Sequence, residues 1–188
     1  MSEFERCIRS GGVVVFPSDT VYGLACDPEN ADAVARLYAL KGRPEDKPAA
    51  VMFFDVAGAA PLVPTLALAL LPGGVTLLVP NPRGLYPLAC GPDPSVLGLR
   101  VPDVPLLAGA SVAVLQTSAN FSGEADARTL EAVPEPIRAG ADLVLDGGAL
   151  PGVASTVVDL RRFPPEWSVV RQGAVPAAAV RKALTAGV

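Results

Sequence analysis

Histidine is absent from all 188 residues. That absence excludes Ser-His-Asp and Cys-His nucleophilic systems and every His-ligated metal centre. A base near neutral pH would have to be a shifted carboxylate, a lysine or the substrate itself. Cysteine is scarce: Cys7, Cys26 and Cys90 are scattered and odd in number. They fit neither a disulfide framework nor a CxxC site and are read as free buried thiols. Charged residues make up only 18% against 51% hydrophobic, which excludes a disordered chain. No apolar run is both long enough and free enough of Gly and Pro to cross a bilayer. The start, MSEFERC, lacks a basic leader before an apolar stretch, so the expectation is a cytoplasmic protein without a secretory signal. A net charge of -4 opposes a protein coated for nucleic acid, though a local basic cleft is compatible with it. Chemistry done by positioning and charge stabilisation, as in phosphoryl or nucleotidyl transfer, suits such a chain.

What is present centres on Gly11 to Pro48. Val13-Val14-Val15-Phe16 has the length of a buried strand, stopped by Pro17. Ser18, Asp19 and Thr20 then crowd short polar side chains at its exit. A helical pattern runs from Ala31 to Leu40, with Ala33, Leu37 and Leu40 on one stripe. It leads into Lys41-Gly42-Arg43-Pro44 and Lys47-Pro48. Cations on a proline-stiffened loop suit a polyanion such as a nucleotide triphosphate. The same cations would also serve an ordinary helix C-terminus.

Further along, Ser2 to Ser10 predicts an opening helix ended by Gly11-Gly12. Strands are expected at Ala49 to Phe54, Val75 to Val79, Val96 to Val101, Val112 to Gln116, Ala141 to Leu145, Ser155 to Leu160 and Trp167 to Arg171. Val56 to Leu71 is helical in composition, but Pro61 and Pro64 must interrupt it. Asn81 to Ser95 is a Pro/Gly-rich loop of lid length. Thr129 to Val133 and Pro134 to Ala139 read as short helical pieces, and Pro176 opens a last helix. The pattern is α/β with a mixed, largely covered sheet. Residues 1–188 are read as one domain, with 174–188 a C-terminal helix.

There is no GxxxxGK[ST], and Gly11-Gly12 precedes its strand, so neither a P-loop nor a dinucleotide fingerprint is present. Instead, buried strands repeatedly release small polar side chains: at Ser18-Asp19-Thr20, at Ser118-Asn120-Ser122 and near Ser155-Thr156. Such groups donate to phosphate, carboxylate or ribose at strand ends, and equally form caps and turns. Arg100 lies within an apolar strand, so it must pair with an acid such as Asp103 or Asp19, or face a cleft. Arg171 ends another. Asp46, Asp93 and Asp159 are available to a divalent ion, but no spacing demands one. Arg161-Arg162 reads as a solvated edge.

Taken together, FPSDTVYGL, KGRPEDKP, PGGVTLLVP, LGLRVP, TSANFSG, ASTVVDL and VVRQG resemble, in order, the motifs of the YrdC-type threonylcarbamoyl-AMP synthase family. The resemblance spans Gly11 to Gly173. It implies a twisted open mixed sheet flanked by helices around a large concave cleft. It implies synthesis of threonylcarbamoyl-AMP and pyrophosphate from L-threonine, bicarbonate and ATP, with Mg²⁺ accompanying the nucleotide. The product would pass to a tRNA threonylcarbamoyltransferase complex that modifies adenosine 37 of tRNA, and direct contact with tRNA is open. By the same resemblance, Lys41 and Arg43 are catalytic. Lys41, Arg43, Lys47, Thr76, Ser118, Asn120 and Arg171 bind ATP, while Thr20, Arg100 and Ser155 bind threonine or bicarbonate. The metal ligand is unassigned.

The chain departs from the family pattern in places. Ser18 stands where many relatives have threonine, and Lys47 where some have asparagine. Met52 replaces a histidine near the amino acid in some relatives, so the substrate methyl is expected to meet its thioether. Gly74 loosens the PGPLTL turn, and the chain ends too soon for the C-terminal domain of the long form. Two other readings stand beside the synthase: a paralogue adenylating a different carbamoyl or amino-acid substrate, and a nucleic-acid-binding module without adenylation.

Overall fold

The computed structural model describes residues 1–185. The part of the expected C-terminal helix at 186–188 lies outside the described residues. The first helix, α1 (Glu3–Arg9), starts at a capping box in which Glu5 N–H donates to Ser2 Oγ and the Glu5 carboxylate accepts from Ser2 N–H. Helix α2 (Ala31–Lys41) is capped by Asn30 and ends on Gly42 at φ 58, the left-handed conformation glycine adopts without strain. The other helices are α3 (Val56–Ala59), α4 (Pro87–Cys90), α5 (Glu135–Gly140) and α6 (Ala177–Thr185). Pro61 and Pro64 do break the Val56–Leu71 stretch, which continues after α3 as two 3₁₀ segments.

The strands are β1 (Val14–Pro17), β2 (Tyr22–Cys26), β3 (Ala50–Met52), β4 (Val75–Pro80), β5 (Val96–Arg100), β6 (Val114–Ser118), β7 (Leu143–Val144), β8 (Thr156–Asp159) and β9 (Ser168–Arg171). They form one sheet in the order β7-β1-β2-β6-β3-β5-β4-β8-β9. The β1–β7, β3–β5 and β4–β8 pairs are parallel and the rest antiparallel, so the sheet is mixed.

Four expectations about the elements need correction. Pro17 does not stop β1 but pairs with Tyr22 as its last residue. The neighbouring β7 is too short to require a donor there. The sequence reading contains no β2, yet Tyr22 to Cys26 turns straight back along β1 and is wholly buried. Strand β6 begins at Val114, so Thr117 and Ser118 lie within the strand, and Ser118 pairs with Gly23. Thr129 to Val133 forms turns, not a helix.

Strand alternation divides the core. Val15, Tyr22, Leu24, Val51, Leu77, Leu99, Leu115 and Val158 face one side, where α2, α5 and α6 cover them with Leu37, Ile137 and Val180. On the other side only one end is covered. There Phe4 and Ile8 of α1, with Phe54 and Leu107, pack on Val14, Phe16, Met52 and Val114. Phe4, Phe16 and Phe54 meet ring to ring at centroid distances of 5.3 to 6.4 Å. The rest of this face is left open and becomes a cleft floor. Met52, fully buried in the aromatic cluster, does not line the cleft, which corrects the expectation that its thioether meets substrate.

Phe16→Ala removes the centre of this plug and is expected to cost about 3–5 kcal/mol, read as a lower urea midpoint with unchanged slope.

Candidate active site

The open face holds a cleft of about 610 Å³. Of the ten residues expected at a site, Lys41, Arg43, Lys47, Thr76, Arg100, Ser118, Asn120, Ser155 and Arg171 line it. Thr20 does not. It lies directly behind Arg100, 1% exposed.

The end of α2 is tied to the end of β6 through the Lys41 ammonium group and through Ser122 N–H, which donates to Lys41 O at 3.0 Å. Lys41 Nζ donates to Ser118 O at 2.6 Å, Asn120 O at 2.6 Å and Asn120 Oδ1 at 2.9 Å. Three donors meet three oxygens, so Lys41 works as a pin that shapes the Ser118–Asn120 turn. Asn120 is equally committed, since its Oδ1 also accepts from Ser118 Oγ and its Nδ2 donates to Glu124 O at 2.7 Å. Burial pushes the Lys41 pKa down to about 8, with Arg43 adding to the push and Asp126 opposing it.

The loop after α2 is folded over Tyr38. The Tyr38 hydroxyl donates to Lys47 O at 2.8 Å, and the Arg43 guanidinium lies 5.5 Å from the Tyr38 ring centroid. Arg43 Nη2 donates to Pro48 O, leaving its buried Nε without a partner. Across the loop, a side chain at Gly91 would stand 2.6 Å from Asp46 O. The Asn81–Ser95 segment thus braces the cationic loop from its far side, while Lys47 stays exposed.

The second pole is Arg100. Its Nη2 forms a buried ion pair with Asp19 and donates to Thr20 Oγ1 at 2.8 Å. Asp19 is therefore the partner, and it also accepts from Asp103 N–H. Ser18 donates its hydroxyl proton to Val21 O at 2.7 Å. In the 3.0 Å Ser18–Thr20 pair the donor is then Thr20, whose hydroxyl is spent on holding Arg100. Burial lowers the Arg100 pKa and Asp19 opposes the shift. Arg100 Nε is buried and unpartnered beside the cleft.

The third group joins β4, β8 and β9. Thr76 Oγ1 and Ser155 Oγ lie 2.8 Å apart, and Arg171 Nη2 donates to Ser155 O at 2.7 Å. Thr156, fully buried, fixes this arrangement. Its Oγ1 accepts from Gly173 N–H and Val175 N–H, each at 3.0 Å, and donates to Val175 O at 2.6 Å. Gly173 is forced by that contact, because a Cβ there would stand 2.2 Å from Ala154 O.

Asp46, Asp93 and Asp126 also line the cleft, whereas Asp159 is bound by Arg161. Among the described residues no three acidic or cysteine side chains converge as a metal cage. Single carboxylates suit magnesium, which takes one or two beside substrate phosphates. Arg161 is exposed, as a solvated edge, and also borders the cleft; Arg162 is exposed beside Glu166. Sequence reasoning missed Gln116, a buried amide in the cleft floor. Its signal was a polar residue within VAVLQ, the same anomaly that marked Arg100. No described helix is long and apolar enough to cross a membrane.

A family model described as "Telomere recombination", covering the Sua5, YciO and YrdC proteins, matches residues 6–173. A threonylcarbamoyl-AMP synthase of Bacillus subtilis is 35% identical over 164 residues, which are 80% of this chain and 47% of that protein. One from Pseudomonas aeruginosa is 38% identical over 157 residues, 78% of this chain and 84% of the relative. The chain thus spans about half of the Bacillus protein and most of the Pseudomonas one. The crystal structure of Pyrococcus abyssi Sua5 complexed with L-threonine superposes with a TM-score of 0.86 at 28% identity, covering 97% of this chain and 56% of that one. Escherichia coli YciO shares the fold, with a TM-score of 0.81 at 24% identity.

Lys41→Met is expected to lower stability by about 1–3 kcal/mol through orphaned carbonyl oxygens. The depressed pKa means that the unfolded chain binds the extra proton between pH 8 and 10.5. Wild type should therefore gain stability on the variant as pH rises through that window, in urea titrations of both. Thr156→Val strands two N–H groups, and a loss of about 1–3 kcal/mol is expected, with faster amide exchange at Gly173 and Val175.

Proposed function

This chain belongs to the Sua5–YciO–YrdC family, and on that premise we propose that it is an L-threonylcarbamoyladenylate synthase, a nucleotidyltransferase using L-threonine, bicarbonate and ATP. The observation that carries the reading is the convergence, in one cleft, of a cationic loop, a buried arginine and two hydroxyl-bearing strand ends. The relatives' names and the threonine complex of the Pyrococcus protein support the substrate class.

In this reading the polyanion lies along Arg43, Lys47 and the Ser118–Asn120 turn, with Arg171 at its far side. Labour is divided more finely in this reading than by sequence spacing. Arg43 and Lys47 face the phosphates, while Lys41 orders the turn that receives them. The threonine carboxylate meets Arg100, and Thr20 acts on it by holding that guanidinium. Ser155 and Thr76 form the hydroxyl wall between the poles.

The amine attacks the carbon of bicarbonate, forming the N–C bond and releasing water, to give N-carboxythreonine. A carbamate oxygen then attacks the α-phosphorus. The O–P bond forms, the bond to the β-phosphate oxygen breaks, and pyrophosphate leaves with the electron pair. Arg43 and Arg171 offset the growing charge. Magnesium would supply further neutralisation of the phosphates, with Asp46, Asp93 or Asp126 within the cleft to receive it. No protein nucleophile is needed, consistent with a chain lacking histidine. A concave site protects the water-labile carbamate. A threonylcarbamoyl transfer onto tRNA adenosine would consume the product.

The test is ATP-dependent pyrophosphate release with bicarbonate and L-threonine, serine or no amino acid. Release should require threonine, and Arg43→Ala should reduce it at least tenfold with the fold intact. Equal release with serine would support the paralogue reading instead, and a wild-type rate in Arg43→Ala would overturn the phosphate assignment.

A further inference from the structure

Gln116 is 7% exposed, lines the cleft, and its carboxamide makes no hydrogen bond to a described residue. The residue is buried as a whole, but its amide oxygen and nitrogen open to the cleft, where a ligand can meet them in place of water. Every other buried polar side chain in this floor is engaged: Lys41, Asn120, Ser155 and Arg100 all have protein partners.

Its position follows from the sheet register. Gln116 pairs with Ala50, Ala50 with Gly98, Gly98 with Leu78, and Leu78 with Asp159. One transverse row thus crosses the cleft floor, and its middle carries almost no side chain. Asp159, at the far end, is held by Arg161. Gln116 is therefore the uncommitted polar side chain of that row. It stands two residues, about 7 Å, along β6 from Ser118, and two strands across plus two residues along the sheet, about 12 Å, from Arg100. Glycine at position 23 makes room for it, since a Cβ there would lie 3.1 Å from Gln116 Nε2.

Resting on the adenylation reading above, we propose that Gln116 binds the bicarbonate-derived carboxylate, holding the carbamate of N-carboxythreonine between the amino-acid pole and the phosphate pole. The group that must bridge Arg100 and the Ser118–Asn120 turn passes over this row. The Nε2–H donates to one carbamate oxygen and leaves the other free to attack phosphorus. No proton moves to or from Gln116. A neutral amide suits this place. A charge-assisted bond from lysine or arginine is about twice as strong, and would hold back the electron pair the carbamate must deliver.

The experiment compares wild type with Gln116→Leu and Gln116→Glu by steady-state pyrophosphate release and by calorimetry with N-carbamoyl-L-threonine, a stable probe of the carbamate position. Leucine adds no polar group to a floor of Ala50, Gly98 and Leu78, so that variant keeps the fold. Both variants should retain ATP and L-threonine affinity within about twofold. The bicarbonate KM should rise at least tenfold in Gln116→Leu and further in Gln116→Glu, whose carboxylate repels the carbamate. Affinity for N-carbamoyl-L-threonine should fall in Gln116→Leu but be kept in Gln116→Glu, because the probe's neutral ureido NH₂ donates to a carboxylate. An unchanged bicarbonate KM with unchanged probe affinity overturns the assignment, as does a wild type that fails to bind the probe. If wild type binds the probe through Gln116 but releases no pyrophosphate, the adenylation reading falls and the carbamate contact stands.

Discussion

The cleft exists in this form because one buried ammonium group closes three hydrogen bonds at once. Lys41 sits at the last position of α2, and its Nζ reaches across to the carbonyls of Ser118 and Asn120. Without that bond, the carbonyls of Ser118 and Asn120 would lose their ammonium donor. With it, the cationic loop and the Ser118–Asn120 turn hold a fixed spacing. Burying a lysine is unfavourable in itself, which is why its proton is held less tightly than usual. The surrounding oxygens offset that cost. The arrangement separates two tasks that charge alone would merge. One cation organises the backbone, and others, less committed, remain to meet a ligand.

The same separation recurs at the other pole. Arg100 is paired with Asp19 and steadied by Thr20, yet it still borders the cavity. An arginine tied on one edge and open on another is held in orientation before any ligand arrives, and so loses less freedom on binding. A chain with a net charge of -4 can in this way present a local cationic concavity. Asp46, Asp93 and Asp126 also line it, but Asp19 and Asp159 are already matched to arginines.

Much of this was legible in the residue order. The S-x-x-E start of α1, the Asn30 and Gly42 ends of α2 and the proline breaks after α3 are local signals, and they appear where local chemistry places them. The motifs that resemble the family marked nine of the cleft-lining residues. What local signals could not convey was which side of the cleft wall each residue occupies. Thr20 and Lys41 are recognisably polar and recognisably placed, but their commitment to Arg100 and to Ser118 depends on partners about 80 residues distant. Strand β2 escaped because Tyr22-Gly23-Leu24-Ala25-Cys26 is short, contains glycine and follows a polar turn. Only its pairing with β1 and β6 reveals it. Met52 was misplaced for a related reason: Ala50 on the same strand face lines the cavity, but the aromatic plug begins one register step away.

The topology also governs when the cavity can come into being. Val13 near the start of the chain is tied to Asp142, 129 residues later, and Lys41 to Asn120, 79 residues later. Contacts between such distant parts carry a loop-closure cost that must be met before they stabilise anything. During synthesis, α1, β1 and α2 emerge long before the strands that complete their sheet. β1 and β2 can pair with each other early, but their outer edges wait for β7 and β6 until most of the chain is out. In such a protein the ligand cavity is among the last features to mature, and late interruption of synthesis yields a chain with its first cations made and nothing yet for them to grip.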